Sequence, residues 1–331
     1  MRRAVQALRA ARVAEMSVPA SKLKATKGGE PIDNRETEDQ ELWRQLPQSE
    51  GEERAELLIQ LAQQAIYKSS GSEALALAEQ AHEIYKAMGA RASSIAMANA
   101  ITGIGYSLRE LNRVEEATKA LDDAIDLLQD SGHPYAEDTM RTKASWFTEM
   151  KRWEDAIATY LEIVKINEIN GNDEFVARDL FGVAHCYYEL GQWQQVIDYS
   201  LRAREIFKAE KMVYEISWCD LNIADSYAEL GEGQEALAWG QRANDVGVLR
   251  KDNEVICKSH YVMARGYLVL EDYDRAEGRL LQAQELVAPS GDWKQVVKIE
   301  RALIQLYRAT GKEEVAVEAE RRLATLLEVV E

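Results

Sequence analysis

The sequence predicts an all-α chain built as a helical solenoid, and three observations carry that prediction. Its 331 residues include only 5 Pro and 19 Gly, while Ala, Leu, Glu and Gln, which lose little freedom in a helix, dominate. Aligning the chain on one small apolar position picks out Ala74, Ala117, Ala156, Val196, Ala236, Ala276 and Ala316, at steps of 43, 39 and then four times 40 residues. Short turn signals, "LNR", "MKR", "LGQ", "LGE" and "LED", fall just before five of these positions. A hydrophobic content of 46% is enough to bury a core, and the regular spacing spreads that core along an array.

Residues 1–51 read as an N-terminal tail and linker. Over residues 1–27, Arg2, Arg3, Arg9, Arg12, Lys22, Lys24 and Lys27 stand against the single Glu15, a local charge of +6. A basic tail is the first reading and an Arg-rich, acid-poor transit segment the second. Over residues 30–53 the sign reverses, and Gly28, Gly29, Pro31 and Pro47 mark a solvated linker. Within it Leu42, Trp43 and Leu46 fit one short amphipathic turn.

Residues 52–331 read as seven units of helix, turn, helix. Twelve residues before each alignment position stand Ala62, Gly105, Ala144, Ala184, Ala224, Ala264 and, in the last unit, Ile304. Nine before it stand Ala65, Leu108, Phe147, Tyr187, Tyr227, Tyr267 and Tyr307. Small residues recur where two helices must approach, and a larger side chain fills the gap one turn on. Leu190 and Leu230, each followed by glycine (Gly191, Gly231), are helix stops. Trp153 and Trp193 share one register and are expected in the core, with Met97, Met140, Met150 and Met263 filling gaps between helices. The final "RRLATLLEVVE" has no following helix to cover Leu323, Leu326, Leu327 and Val330, so this end and the tail are the expected places for a homo-oligomer contact.

The segments "AHCY", "ADSY" and "ARGY", a small residue three before Tyr in the first helix with Ala early in the second, resemble the tetratricopeptide repeat. The resemblance runs from about residue 52 to 331. The 40-residue step and a closing Pro missing apart from Pro289 place it with the long-repeat branch, which includes peptide-sensing regulators, kinesin light chains and polarity adaptors. It implies a right-handed superhelix of about seven antiparallel helix pairs whose first helices line a concave groove, and a function located in that groove.

Composition and motifs narrow the chemistry. A net charge of −17 disfavours a sequence-neutral grip on nucleic acid or an anionic membrane. Cys186, Cys219 and Cys257 form no short framework, and they read as reduced thiols in a cytoplasmic protein. No run approaches the ~18 apolar residues of a membrane span. There is no glycine-rich phosphate loop and no Cys or His pair at metal spacing, so neither enzyme chemistry nor a cofactor is expected. His185 and Cys186 are neighbours in sequence, but adjacent helical residues point in different directions.

The registers 18, 15, 11 and 8 residues before each alignment position should face the groove. They hold Arg109, Arg141, Arg178, Lys258, Arg265, Lys298, Arg301 and Arg308 against Glu56, Asp138 and Asp225, where composition alone puts about three basic and about five acidic residues. The expectation is a positive inner face with apolar anchors. The candidate partner-binding residues are Tyr106, Arg109, Arg141, Arg178, Phe181, His185, Trp218, Asn222, Tyr261 and Arg265, giving charge-assisted donors among aromatics. The partner expected is an acidic or amphipathic segment of a protein held by a non-catalytic adaptor. The alternatives are a structural subunit of a larger bacterial or viral assembly, or a peptide-sensing regulator without its own DNA-binding domain.

Overall fold

The structure is a computed structural model and describes residues 35–133, 135–287 and 292–330. The basic stretch 1–27, Gly28, Gly29, Pro31, Pro289 and the side chain of Val330 lie outside the described residues. Among those described there are fifteen helices and no strand. In chain order they are α1 (Arg35–Gln45), α2 (Gly51–Tyr67), α3 (Gly71–Met88), α4 (Ser94–Glu110), α5 (Val114–Asp130), α6 (Tyr135–Glu149), α7 (Trp153–Asn170), α8 (Asp173–Glu189), α9 (Trp193–Ala209), α10 (Val213–Glu229), α11 (Gly233–Arg250), α12 (Asn253–Val269), α13 (Tyr273–Val287), α14 (Trp293–Ala309) and α15 (Glu313–Val330). After α1 they form seven consecutive pairs, the all-α repeat that the spacing predicts.

The first helix of a pair ends by one device. The residue before last in the turn takes a left-handed backbone, and the next N–H bonds back to the carbonyl of the residue nine before the alignment position. Thus Gln192 N donates to Tyr187 O at 3.0 Å, Glu232 N to Tyr227 O at 2.8 Å and Lys312 N to Tyr307 O at 2.8 Å. Gly191 and Gly231 reach φ of 68° and 80°, where the absence of a Cβ removes the strain. The same turn is made elsewhere by Asn112, Lys151 and Glu271, at an expected cost of about 1–2 kcal/mol each.

The chain divides into two compact units, Met1–Lys143 and Ala144–Glu331, with the boundary inside α6. In unit 1, Leu58, Leu61, Ala62, Leu77 and Tyr85 form a core under α2 to α4. The stretch read as a solvated linker carries α1 and a short 3-10 turn, Leu46–Gln48. Leu46 is 7% exposed and Leu42 packs against the same cluster, four residues earlier on one helical face. Arg54 Nη1 donates to the Leu46 carbonyl at 2.7 Å, while Trp43 stays exposed.

In unit 2 each helix packs on the next, and α8, α10, α12 and α14 also touch one another in sequence. Ala156, Val196, Ala236, Ala276 and Ala316 are all fully buried, as are Ala184, Ala224 and Ala264. At the α11–α12 seam two glycines join the buried alanines Ala236, Ala243 and Ala264. A Cβ on Gly233 would lie 2.7 Å from the Gly266 carbonyl oxygen, and one on Gly240 2.8 Å from Met263 Cγ.

Two of the buried carboxylates in these seams meet an arginine. Arg204 Nε meets Asp220, 1% exposed, at 2.5 Å, and Gln284 and Arg322 hold the two oxygens of the buried Glu300. Trp153 and Trp193, expected in the core, are instead half-buried. They meet His185 and Tyr188 edge-on, at 6.4 and 5.4 Å between centroids. At the C-terminus Leu323 packs on the last cluster, and Leu326 and Leu327 are half-buried.

Candidate functional site

In unit 2 the inner registers of α8, α10, α12 and α14 line three hollows that share residues. The middle one, about 320 Å³, has Phe181, His185, Tyr188, Trp218, Asn222 and Tyr261 in its wall, with Glu189, Asp225, Lys258, Gln295 and Lys298. Phe181 and Trp218 also border a second hollow of about 340 Å³ that includes Arg178, Tyr214 and Glu215. Lys258 and Gln295 border a third of about 220 Å³, with Asn253, Glu254 and Asp292. Phe181, His185, Trp218, Asn222 and Tyr261 therefore stand together as the sequence registers suggest, with Arg178 beside them.

The remaining candidates are placed differently. Arg265 is not offered to the hollow. It is bonded to Asp225 and, at 2.6 Å, to Glu229, and Tyr188 Oη donates to the other oxygen of Asp225 at 2.5 Å. Burial works against the Arg265 charge, but Asp225, Tyr261 and Glu229 outweigh it and raise its pKa. Tyr106, Arg109 and Arg141 belong to unit 1 and line none of these hollows, and Arg141 is paired with Asp138 at 2.7 Å. Of the ten candidates, Phe181, His185, Trp218, Asn222 and Tyr261 line the middle hollow and Arg178 the one beside it.

The expectation of a positive inner face needs correction. Arg141, Arg178, Lys258, Arg265 and Arg308 are each within ion-pair distance of a carboxylate. Several of those acids sit one turn further toward the helix N-terminus than the registers examined. Glu174, Glu215 and Glu254 occupy first turns, where the helix dipole favours negative charge. The same turn of α14 carries Lys294 and Gln295, with no acid. Extending the registers by one turn would have found all of them, Gln295 included.

The titrating groups are tuned toward neutrality. Burial, with help from Lys298, lowers the His185 pKa against the opposing pull of Glu189. Burial and the charge of Asp225 push Tyr261 up to about 12, and burial is the main cause that holds Cys219 at about 12 and Cys257 at about 11. Cys186 is fully buried, whereas His185 opens to the hollow, so the two neighbours are not a nucleophile and its base. Lys258 Nζ lies 4.2 Å from the Trp218 ring centroid and Lys298 Nζ 5.7 Å from that of Tyr188, in cation–π geometry. Among the described residues no group of three or more His, Cys, Asp or Glu could hold a metal ion, and no helix is long and apolar enough to cross a membrane.

Stacked helix pairs with one lined face define a helical-repeat protein. Residues 135–209 match the model of the tetratricopeptide repeat. No curated protein matches the sequence. Among solved structures, the chain is similar to a Rap protein complexed with Competence and Sporulation Factor, at 18% identity and a TM-score of 0.56, covering 83% of this chain and 76% of that one. It is similar to the apo form of the quorum sensor NprR from B. thuringiensis, at 14% and 0.52, covering 89% and 88%. It is also similar to a signal transduction ATPase with a tetratricopeptide repeat sensor from Pyrococcus horikoshii, at 16% and 0.65, covering 88% of this chain and 45% of that one. At these identities the likeness shows the fold.

Proposed function

We propose that unit 2 is a non-catalytic binding module that holds a segment of a partner protein or a peptide along α8, α10, α12 and α14. One observation carries this: three hollows joined by shared residues, with Phe181 and Trp218 at one joint and Lys258 and Gln295 at the other. Phe181 and Trp218 offer apolar area at little entropic cost, and Asn222 offers an amide able to bond a peptide main chain in both senses. Surface ion pairs are individually weak, so affinity comes from anchors in a partly desolvated groove.

Selection of phage-displayed random dodecapeptides on the full chain tests the reading. Enrichment by the wild-type chain and its loss in Phe181→Ala/Trp218→Ala, with circular dichroism unchanged, is the expected result. Equal enrichment by both proteins would refute it. Sensing of a small signalling peptide is the second reading, favoured by the likeness to a quorum sensor and to a Rap protein carrying its factor.

A further inference from the structure

We propose that the groove selects segments carrying an internal Asp or Glu, whose carboxylate is bound by Lys298 Nζ and Gln295 Nε2 of α14. This rests on the groove reading above and names the chemistry it prefers. Gln295 is 6% exposed, borders both the middle and the third hollow, and its Nε2 has no hydrogen-bond partner among the described residues. A buried donor left without an acceptor is costly, and an occupant of the hollow supplies the acceptor.

Lys298 lies three residues on, on the same helical face. In α8 and α12 the equivalent cations, Arg178 and Lys258, are neutralised by an acid four residues earlier, Glu174 and Glu254. In α14 that position is Lys294, and Lys298 has no carboxylate in ion-pair reach among the described residues; its Nζ lies 5.7 Å from the Tyr188 ring centroid. The seventh repeat therefore places an uncompensated cation beside an uncompensated amide donor.

The wall also contains Glu189, whose charge opposes a dianion such as a phosphate more strongly than a single carboxylate. Because Gln295 stands where two hollows join, the bound chain continues past it, so the acid is a side chain and not a chain terminus.

The probe is a set of three synthetic forms of one dodecapeptide enriched on the wild-type chain. They are the parent with its acid, the Asp-to-Asn or Glu-to-Gln form, and the parent amidated at its C-terminus. Fluorescence anisotropy should show about a tenfold loss for the amide side chain and none for the amidated terminus. Lys298→Met and Gln295→Leu should reduce that difference to less than twofold, and Lys298→Arg should retain it. Equal binding of acid and amide side chains, with Trp218→Ala still abolishing capture, overturns this proposal and leaves the groove reading standing. Loss confined to the amidated terminus overturns it in favour of a terminal carboxylate. Absence of any enriched peptide overturns both.

Discussion

The groove face of unit 2 and the seams between its repeats use the same residue types for opposite ends. In the seams, Arg204 and Asp220 are paired and closed away, and glycines 233 and 240 let α11 approach α12 until no Cβ would fit. On the groove face, Lys298 has no carboxylate and Gln295 Nε2 no acceptor among the described residues, while aromatics stand open to the hollow. A charge that has its partner inside the chain contributes to register and stability. One that lacks it is available to a ligand, and substitutions should separate the two roles.

The largest effect belongs to the seam. Asp220→Ala leaves Arg204, only 16% exposed, without its carboxylate, and removal of one member of a buried pair costs about 3 kcal/mol or more. Urea unfolding followed by circular dichroism should show the midpoint falling well below wild type. A midpoint unchanged would mean that Arg204 finds another partner, such as its neighbour Glu205 at 3.2 Å or the face of Trp239 at 5.2 Å.

A second seam residue gives a pH signature. Burial first, then the charge of Arg279, pull the His260 pKa down to about 4. The folded state thus holds His260 neutral where the unfolded chain protonates it at its ordinary value of about 6.5. Stability is complete above pH 6.5 and is lost as pH falls toward 4, by about 2–3 kcal/mol across that window. His260→Gln should flatten the slope; a slope equal to wild type would place the acid sensitivity elsewhere.

Close approach is next. Gly233→Ala sets a methyl against the Gly266 carbonyl, a backbone atom that cannot rotate away, and Ala224→Leu overfills a fully buried contact. Each should cost about 1–3 kcal/mol without changing peptide capture at temperatures where the protein is folded. Thermal melts monitored by circular dichroism check this. Gly278, around which a Cβ would meet nothing within 4 Å, is the control: Gly278→Ala should hold or raise the melting temperature.

The sevenfold register was legible in the sequence because packing dictates it. Only small residues fit at Ala184, Ala224 and Ala264, so those positions repeat while the rest drifts. The same periodicity located Phe181, His185, Trp218 and Tyr261 on one wall. Pairing was not legible. Arg265 reads as a free donor until Asp225, forty residues earlier, is found beside it. Arg204 and Asp220 look like surface charges because nothing in a one-dimensional pattern says that two solvent-loving groups will be buried together. Gln295 was missed by one helical turn, and the boundary between units, which falls inside the unbroken helix α6, left no mark in composition.

The smallest effect on stability should come from the residue with the largest effect on binding. Trp218 is half-buried, its ring edge set against Tyr214 at 5.9 Å between centroids and its face under Lys258. Trp218→Ala removes apolar area that is already partly wet and opens onto a hollow, so little new cavity is sealed inside the protein. The fold should lose about 1 kcal/mol or less, well under the about 3–5 kcal/mol of a core tryptophan. Binding is different, because an occupant of the groove would complete the burial of that ring, and truncating an anchor at the centre of an interface typically costs about 2 kcal/mol or more. Peptide affinity should therefore fall at least tenfold while the urea midpoint barely moves. If the midpoint drops as far as it does for Asp220→Ala, Trp218 belongs with the seams, and the contrast between the two faces fails at its central residue.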